Sequence, residues 1–162
     1  MRMFPYRSSA IVPLLFAVTT LTRGFAADQP KCAQPQVIED PTYKPGQVWS
    51  YKSRPGEDKS TITILRVEST PKMGVIVHVR IDGFKLENCA GNRGDSAMDH
   101  APFTKAAIDK SVVKLLRTEK DLPDFQEGYT DWLSHCGGLY QMSVADALTA
   151  TNKTMKDHGC DK

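Results

Sequence analysis

The alternation of apolar and polar residues in the middle of the chain predicts a set of β-strands. Gln47–Lys52 is close to alternating, and every second residue of Val75–Ile81 is a valine or an isoleucine. A period of two sends successive side chains to opposite faces of a sheet. Two further strands are predicted over 60–68 and 84–89. The four strands follow one another closely, so we expect them to pair as an antiparallel meander.

Turn-forming residues divide the predicted strands. Proline and glycine occur together in Arg54–Asp58 and in Thr70–Gly74, each between one strand and the next. Asp82-Gly83 is a dipeptide typical of tight hairpin turns, so it predicts that the chain reverses there. The longest stretch without periodicity is Ala90–His100, which contains two glycines and several polar residues. We therefore predict a surface loop over that stretch.

Helical spacing of apolar residues replaces the alternation in the last third of the chain. Thr104 and Ser143 are suitable N-cap residues for the first and third predicted helices, and Asp124 begins the second. Gly137-Gly138 ends the second helix. Each predicted helix has one apolar face. The faces are Ala107, Ile108, Val112, Leu115 and Leu116 in the first helix; Phe125, Tyr129, Trp132 and Leu133 in the second; and Val144, Ala147, Leu148 and Met155 in the third.

The order of these elements predicts the fold class. Strands come first and helices later, which is typical of α+β proteins. We expect an antiparallel meander of about four strands packed by about three C-terminal helices. Residues 139–142 are predicted to add a short extra strand.

The N-terminal residues have the three parts of a secretory signal peptide. Arg2 and Arg7 make the start positive, residues 10–21 are apolar, and small residues stand at 24 and 26. The apolar stretch is shorter than the ~20 residues that span a bilayer. We therefore predict a cleaved signal peptide at 1–26, with an uncleaved membrane anchor as the alternative.

Cleavage changes the charge of the chain. The whole sequence has a formal net charge of +2, and subtracting the three arginines of the leader, which has no acidic residue, leaves −1. A nearly neutral domain has no electrostatic reason to bind nucleic acid or an anionic membrane surface. We expect neither partner, and no stable membrane insertion after cleavage. The mature chain is predicted to be an extended, proline-rich arm at 27–46 followed by a single domain at 47–162.

Four cysteines remain after cleavage, namely Cys32, Cys89, Cys136 and Cys160. An even number in an exported chain predicts disulfide bonds, because the compartments outside the cytosol are oxidising. Three connectivities are open; we favour Cys32–Cys89 with Cys136–Cys160, which would tie the C-terminal tail to the second helix. The cysteines lack the C-x-x-C spacing of zinc sites, and the sequence indicates neither a metal nor a cofactor.

The candidate binding residues lie in the predicted loop and in the first turn. Asp99-His100 places a carboxylate beside an imidazole just before a helix, and loops often carry function. Arg93 in the same loop, with Arg54 and Glu57 in the turn, completes the predicted binding surface.

One arrangement of side chains would give the chain a catalytic role. His100 with Asp99 or with His78 would serve as a proton acceptor, provided that the side chains meet in one pocket. The sequence has no G-x-S-x-G, H-E-x-x-H or Walker A motif and no dinucleotide-binding glycine pattern. We therefore assign no catalytic residue and expect a non-enzymatic protein.

Several short motifs resemble those of a group of small bacterial proteins without an assigned activity. They are Gly46–Tyr51 (GQVWSY), Arg54–Glu57 (RPGE), Ile76–Val79 (IVHV), Ala101–Thr104 (APFT) and Ser143–Ala147 (SVADA), and the likeness extends over 43–148. The resemblance implies no catalytic residue. The leader and the flanking Cys32 and Cys160 lie outside the shared part.

The sequence leads to one functional hypothesis and two alternatives. A small exported, disulfide-bonded domain without a reactive motif is expected to bind a protein or a ligand in the periplasm or outside the cell. An inhibitor or immunity protein against an envelope-acting enzyme is one form of this hypothesis. The alternatives are a small periplasmic hydrolase that uses His100 and a structural component of the envelope.

Overall fold

The computed structural model describes Cys32 and residues 34–87 and 89–159, and six strands form one sheet within these ranges. The strands are β1 (Gln36–Val37), β2 (Gln47–Tyr51), β3 (Thr61–Thr70), β4 (Gly74–Glu87), β5 (Arg93–Thr104) and β6 (Val112–Thr118). The helices are α1 (Lys105–Ser111), α2 (Gln126–Ser134) and α3 (Val144–Gly159). The strand order is β5-β4-β3-β2-β6, with β1 also on β3, and all these pairings are antiparallel. The predicted α+β class is confirmed.

One face of the sheet carries the main hydrophobic core. Val77, Val79 and Ile81 alternate along β4 and are completely buried, as the period of two predicts. Ile108 of α1 and Leu148 of α3 pack into the same cluster. Burial of one such side chain stabilises the fold by about 1.5–3 kcal/mol, so this apolar layer accounts for much of the stability.

Local capping fixes where α1 and α3 begin, as predicted. The Thr104 hydroxyl accepts a hydrogen bond from the backbone N–H of Ala107 at 3.3 Å, and that of Ser143 accepts one from Asp146 at 3.2 Å. Val144, Ala147 and Leu148 are buried as predicted. The prediction is wrong for Met155, which is 50 % exposed because the buried residues of α3 lie in its first turns.

Helix α2 covers the opposite face of the sheet. His78 stands between two core valines of β4, so its side chain points away from the main core. There it meets the rings of Tyr129 and Trp132 from α2. A second, smaller cluster of Leu65, Phe125 and Tyr129, with Trp132 and Leu133 against it, holds the helix in place.

Strand β4 continues through Asp82-Gly83, so the predicted hairpin turn at this point is wrong. Gly83 has φ +70° and is an extra residue on β4, since Asp82 pairs with Ala97 and Phe84 with Ser96. A glycine in left-handed backbone serves a β-bulge as well as it serves a tight turn. One long bulged strand therefore replaces two predicted short ones.

The loop predicted over Ala90–His100 is also wrong, because β5 begins at Arg93. It pairs along β4 from Arg93, opposite Glu87, to Thr104, opposite Ile76. Most side chains over 93–99 are exposed. The pairing of the backbone rather than the burial of side chains makes this segment a strand, which explains its polar composition.

The first predicted helix ends earlier than its apolar spacing indicates. Residues Val112–Thr118 leave α1 and form β6, which pairs with β2. Val112 and Val113 are β-branched and favour a strand over a helix. Leu115 and Leu116, predicted to be core, are 39 % and 46 % exposed. Within the described ranges, no strand pairs with the outer edge of β6.

The end of the predicted arm is part of the folded unit. Gln36–Val37 pairs with β3, and Tyr43 is 2 % exposed in the main core. The Tyr43 hydroxyl donates a hydrogen bond to Asp109 at 2.7 Å. The compact unit is Lys31–Lys162, whereas the predicted signal peptide lies outside the described residues.

A disulfide bond joins Cys32 to Cys136, with a Cα–Cα distance of 5.0 Å. The favoured pairing of Cys32 with Cys89 and of Cys136 with Cys160 is therefore wrong. Cys136 is the second residue after α2, so the bond ties the arm to the C-terminal end of that helix. Cys89 is also disulfide-bonded, and Cys160 lies outside the described residues.

The extra strand predicted at 139–142 is reduced to a single bridge between Phe103 and Tyr140. Tyr140 donates its N–H to Pro102 O at 2.9 Å and accepts from Thr104 N at 3.0 Å.

None of the helices in the described ranges has the length and apolar character needed to cross a membrane.

Candidate functional site

A second β-bulge, this time on β5, positions the predicted pair Asp99-His100. Ala101 pairs with Val79 and Met98 with Ile81, so Asp99 and His100 together stand opposite Arg80. Two residues opposite one redirect the side chains locally, and such bulges recur beside functional sites. Arg80 forms an ion pair with Asp99, and its Nε donates to Asp82 Oδ1 at 2.8 Å.

His100 meets His78 across the two strands. His78 Nδ1 and His100 Nε2 are 2.8 Å apart, and the two rings stack at 5.1 Å between centroids. The other nitrogen of His78, Nε2, faces a carboxylate oxygen of Glu68 at 3.2 Å, which favours a proton on Nε2. His78 Nδ1 then accepts the hydrogen bond from His100 Nε2–H. His100 Nδ1 is left with a lone pair.

The Glu68 carboxylate is the fixed charge beneath this pair. Its side chain is completely buried, and the Tyr129 hydroxyl donates to both oxygens at 3.0 and 3.1 Å. Arg66 Nε lies 2.5 Å from Oε1. Neither Arg66 Nε nor His78 Nε2 reaches good hydrogen-bond geometry, so Arg66 acts on Glu68 mainly through its charge and the neutral His78 only through its dipole. The buried carboxylate is thus compensated by one guanidinium and by the tyrosine hydroxyl.

Aromatic side chains of α2 and the residue before it enclose the histidines. The His78 ring contacts Tyr129 and Trp132 edge-on, with centroids 5.3 and 5.0 Å away, and Phe125 stacks on His100 at 6.5 Å. Gly128 lets α2 approach this closely, because a Cβ there would lie 2.9 Å from the Cβ of His100. The sheet and α2 therefore close on the pair from both sides.

Burial keeps both histidines neutral at ordinary pH. Desolvation is the main cause that lowers the pKa of His78 from 6.5 to about 3, with repulsion from His100 and Arg66 adding to it. Desolvation also lowers the pKa of His100 from 6.5 to about 4. The same effect, with the Glu68 carboxylate beside it, raises the pKa of Tyr129. The cluster therefore contains neutral imidazoles and a neutral phenol.

The outer side of His100 opens into a cleft of about 670 Å³ between β5 and the start of α2. Its walls contain four carboxylates but one guanidinium, and His100 and Phe125 form its floor. The charged side chains are Asp99, Asp124, Glu127 and Asp131, with Arg80. Asp99 is already paired with Arg80, so the remaining acids leave the cleft negatively charged.

The other predicted binding residues form a separate cluster. Arg54 holds Glu57 with two hydrogen bonds of 3.0 and 2.6 Å, and Arg93 lies 3.8 Å from the same carboxylate. Glu57 also accepts the N–H of Lys85, which ties the turn to β4. Arg93 and His100 are seven positions apart along β5, which is roughly 23 Å of strand. The structure thus places the predicted binding residues in two clusters, of which Asp99 and His100 line the cleft.

Sequence reasoning missed Glu68 and assigned Tyr129 to the core only. A signal was present: Glu68 lies in a strand otherwise rich in Ile, Leu, Val and Thr, and a carboxylate in such a strand is buried only with partners. Within the described residues, no three His, Cys, Asp or Glu side chains are placed to hold a metal ion.

Comparison of the chain with protein-family models, with curated proteins and with solved structures finds no match. The interpretation of the site therefore depends on its own geometry.

Proposed function

We propose that the protein is a non-enzymatic binding domain of the periplasm or the extracellular space, which receives a positively charged segment of a partner protein. The supporting observation is the cleft beside α2, where Asp124, Glu127 and Asp131 face Phe125 and His100. A lysine or arginine side chain would make two kinds of contact in this cleft. Its charge meets the carboxylates, and its methylene groups lie on the aromatic floor.

Export is the second part of the proposal. The Cys32–Cys136 disulfide fits an oxidising compartment, and the N-terminal sequence supports a cleaved signal peptide. An inhibitor or immunity protein against an envelope-acting enzyme is the concrete form we favour. Such a protein needs a rigid, charged recognition surface and no reactive group.

Site-directed crosslinking from the cleft tests the proposal. A photoreactive amino acid at Glu127, in chain exported to the periplasm, is expected to yield one dominant adduct with an envelope protein. The same amino acid at Arg93, in the separate cluster about 23 Å away, is the matched control. Equal adducts from both positions, or none from Glu127 in a folded protein, would contradict the proposal.

The identified partner is then titrated against charge variants. Glu127→Gln with Asp131→Asn is expected to weaken binding at least tenfold, which is about 1.4 kcal/mol. Added salt should weaken binding to the wild-type protein but have less effect on the double variant. A partner that binds both proteins equally well would place the interface elsewhere.

A hydrolase is the second candidate, and the contact between His78 and His100 favours it. His100 Nδ1 would take a proton from a water molecule as the water oxygen attacks the carbonyl carbon of an ester. The tetrahedral intermediate would then lose the alcohol, which takes that proton from the imidazolium. We rank this candidate second because a histidine with a pKa of about 4 is a weak base at neutral pH.

A panel of activated esters distinguishes the two candidates. The hydrolase predicts turnover that His100→Gln abolishes and that His135→Gln, on the exposed end of α2, does not change. Hydrolysis at the rate of buffer alone between pH 5 and 8 would eliminate it.

A further inference from the structure

We propose that acid opens the wall of the cleft, because α2 is held on the sheet by a pair of histidines that have room for only one proton between them. The proposal rests on the proposed function only in its consequence for partner binding. The opening itself is a property of the isolated protein.

The geometry of the histidine pair makes protonation of the closed state unfavourable. The 2.8 Å contact between His78 Nδ1 and His100 Nε2 needs one proton, donated by one ring to the other. Protonation of His78 puts a second hydrogen into the same gap, so the contact becomes repulsive. Protonation of His100 at Nδ1 places a cation beside Gly128 of α2, since a Cβ built at that glycine would lie 3.6 Å from this nitrogen.

The charges around the pair come from every element packed on it. Glu68 and Arg66 face it from β3, Arg80 from β4 and Asp99 from β5. Tyr129 faces it from α2, and the carboxylates of Asp124, Glu127 and Asp131 line the outer side of His100.

These charges offset one another on the inner side of the pair. Arg66 already neutralises Glu68, and Arg80 is bound to Asp82 and Asp99. The carboxylates of the cleft, which line the outer side of His100, are left as the groups that a histidine cation can pair with. Acid therefore favours a state in which His100 breaks its contact with His78 and pairs with these carboxylates.

The small size of the second cluster explains why α2 would move alone. The cluster beneath the helix is separate from the main core and contains three buried residues, Leu65, Phe125 and Tyr129. Elements with little buried apolar area open at lower free energy than the rest of a protein. The Cys32–Cys136 bond would keep the released helix close to the sheet.

The difference in proton binding between the open and closed states determines how steeply the opening of α2 depends on pH. In the open state both histidines meet water and titrate near pKa 6.5, whereas in the closed state burial keeps both neutral. Between pH 6.5 and about 4, each unit of acidification therefore raises the ratio of open to closed protein roughly tenfold per histidine, or roughly 100-fold for the pair.

Trp132 reports the opening directly, since its ring lies 5.0 Å from His78. In the Trp49→Phe variant, Trp132 is the remaining tryptophan of the chain. Its emission is expected to shift to longer wavelength between pH 6 and 4, with a slope of about two protons. Far-UV circular dichroism should keep its strand signal over the same interval.

Variants of the two histidines show which residue binds each proton. His100→Gln should reduce the slope to about one proton, and His78→Gln with His100→Gln should abolish the shift above pH 4.5. His135→Gln, on an exposed side chain at the end of α2, should leave it unchanged. If the double variant does not fold, hydrogen exchange of the wild-type protein replaces it: amides of α2 must lose protection in acid before those of β3.

Two results would overturn the proposal. One is a Trp132 shift that persists in a folded double variant, since the carboxylates of the cleft would then be the cause. The other is titration of both histidines near pH 6.5 without any change at Trp132, as followed by NMR. A missing partner would refute the binding function and leave these measurements unaffected.

Discussion

The two faces of the sheet are built from opposite kinds of side chain. The face under α1 and α3 buries aliphatic and aromatic residues, whereas the face under α2 buries Glu68, His78 and Tyr129. The apolar layer keeps the same stability through the acid and neutral range, because burial raises the pKa of its tyrosines, Tyr43 and Tyr51, further above that range. The polar layer depends on the histidines staying neutral, because burial lowers the pKa of both. The groups that titrate in acid therefore lie on one side of the sheet, and the larger hydrophobic core lies on the other.

The largest expected effect is on the apolar face. Phe103→Ala removes a completely buried ring that packs on Tyr140 and should lower the free energy of unfolding by about 4 kcal/mol. Urea unfolding followed by circular dichroism measures it. The exposed Leu122→Ala is the control and should change stability by less than about 0.5 kcal/mol. Equal effects of both would mean that this face is not the main core.

The disulfide is expected to have the next largest effect, on the other face. Cys32→Ser with Cys136→Ser opens a link over a sequence separation of 104 residues and should cost about 3 kcal/mol. The loss should be greatest at α2, so hydrogen exchange there should rise more than in β3 and β4. Uniform loss of protection over the whole sheet would show that the bond does not act through α2.

Acid is expected to destabilise the face under α2, and not the apolar face, without any mutation. Since the folded pKa values of His78 and His100, about 3 and about 4, lie below 6.5, the unfolded chain binds more protons. Stability is therefore full above pH 6.5 and falls as the pH drops towards 4. From pH 7 to about pH 5.7 we expect a combined loss of about 2 kcal/mol from the two histidines, measured as the urea midpoint. A constant midpoint over this interval would contradict the buried neutral pair.

The smallest effect concerns the fit of α2 on the sheet. Gly128→Ala should destabilise by about 1.5 kcal/mol, although alanine is the better helix former, because its Cβ would lie 2.9 Å from that of His100. Gly94→Ala, with open space at its Cβ, is the control for a glycine on β5. Stabilisation by Gly128→Ala, read from the thermal midpoint, would show that α2 sits less closely than described.

The elements that the sequence predicts well are those whose pattern is tied to the main core. Val77 and Val79 on β4 and the two capped helices are examples, because burial imposes the period. Strand β5 and strand β6 were missed for the opposite reason. Their side chains are largely exposed, and their place depends on pairing with a neighbour that no local pattern encodes.

The candidate site could be predicted only in part. Asp99, His100 and His78 were identified as residue types, but their approach depends on a bulge in a strand that was predicted to be a loop. Glu68 and Tyr129 lie 61 positions apart in the sequence. Their contact follows from the docking of α2, which periodicity alone does not orient.

The exposed outer strand β6 has a consequence for the protein at high concentration. Its outer backbone groups are free within the described part of the chain, and Val113, Leu115 and Leu116 stand in solvent beside them. Such an edge templates sheet growth between molecules unless charged side chains oppose it. Lys114 is placed to do so, whereas Arg117 is already paired with Glu119. Colloidal stability of this small protein therefore depends on one surface cation, and acetylation or neutralisation of Lys114 is expected to promote fibrillar aggregation.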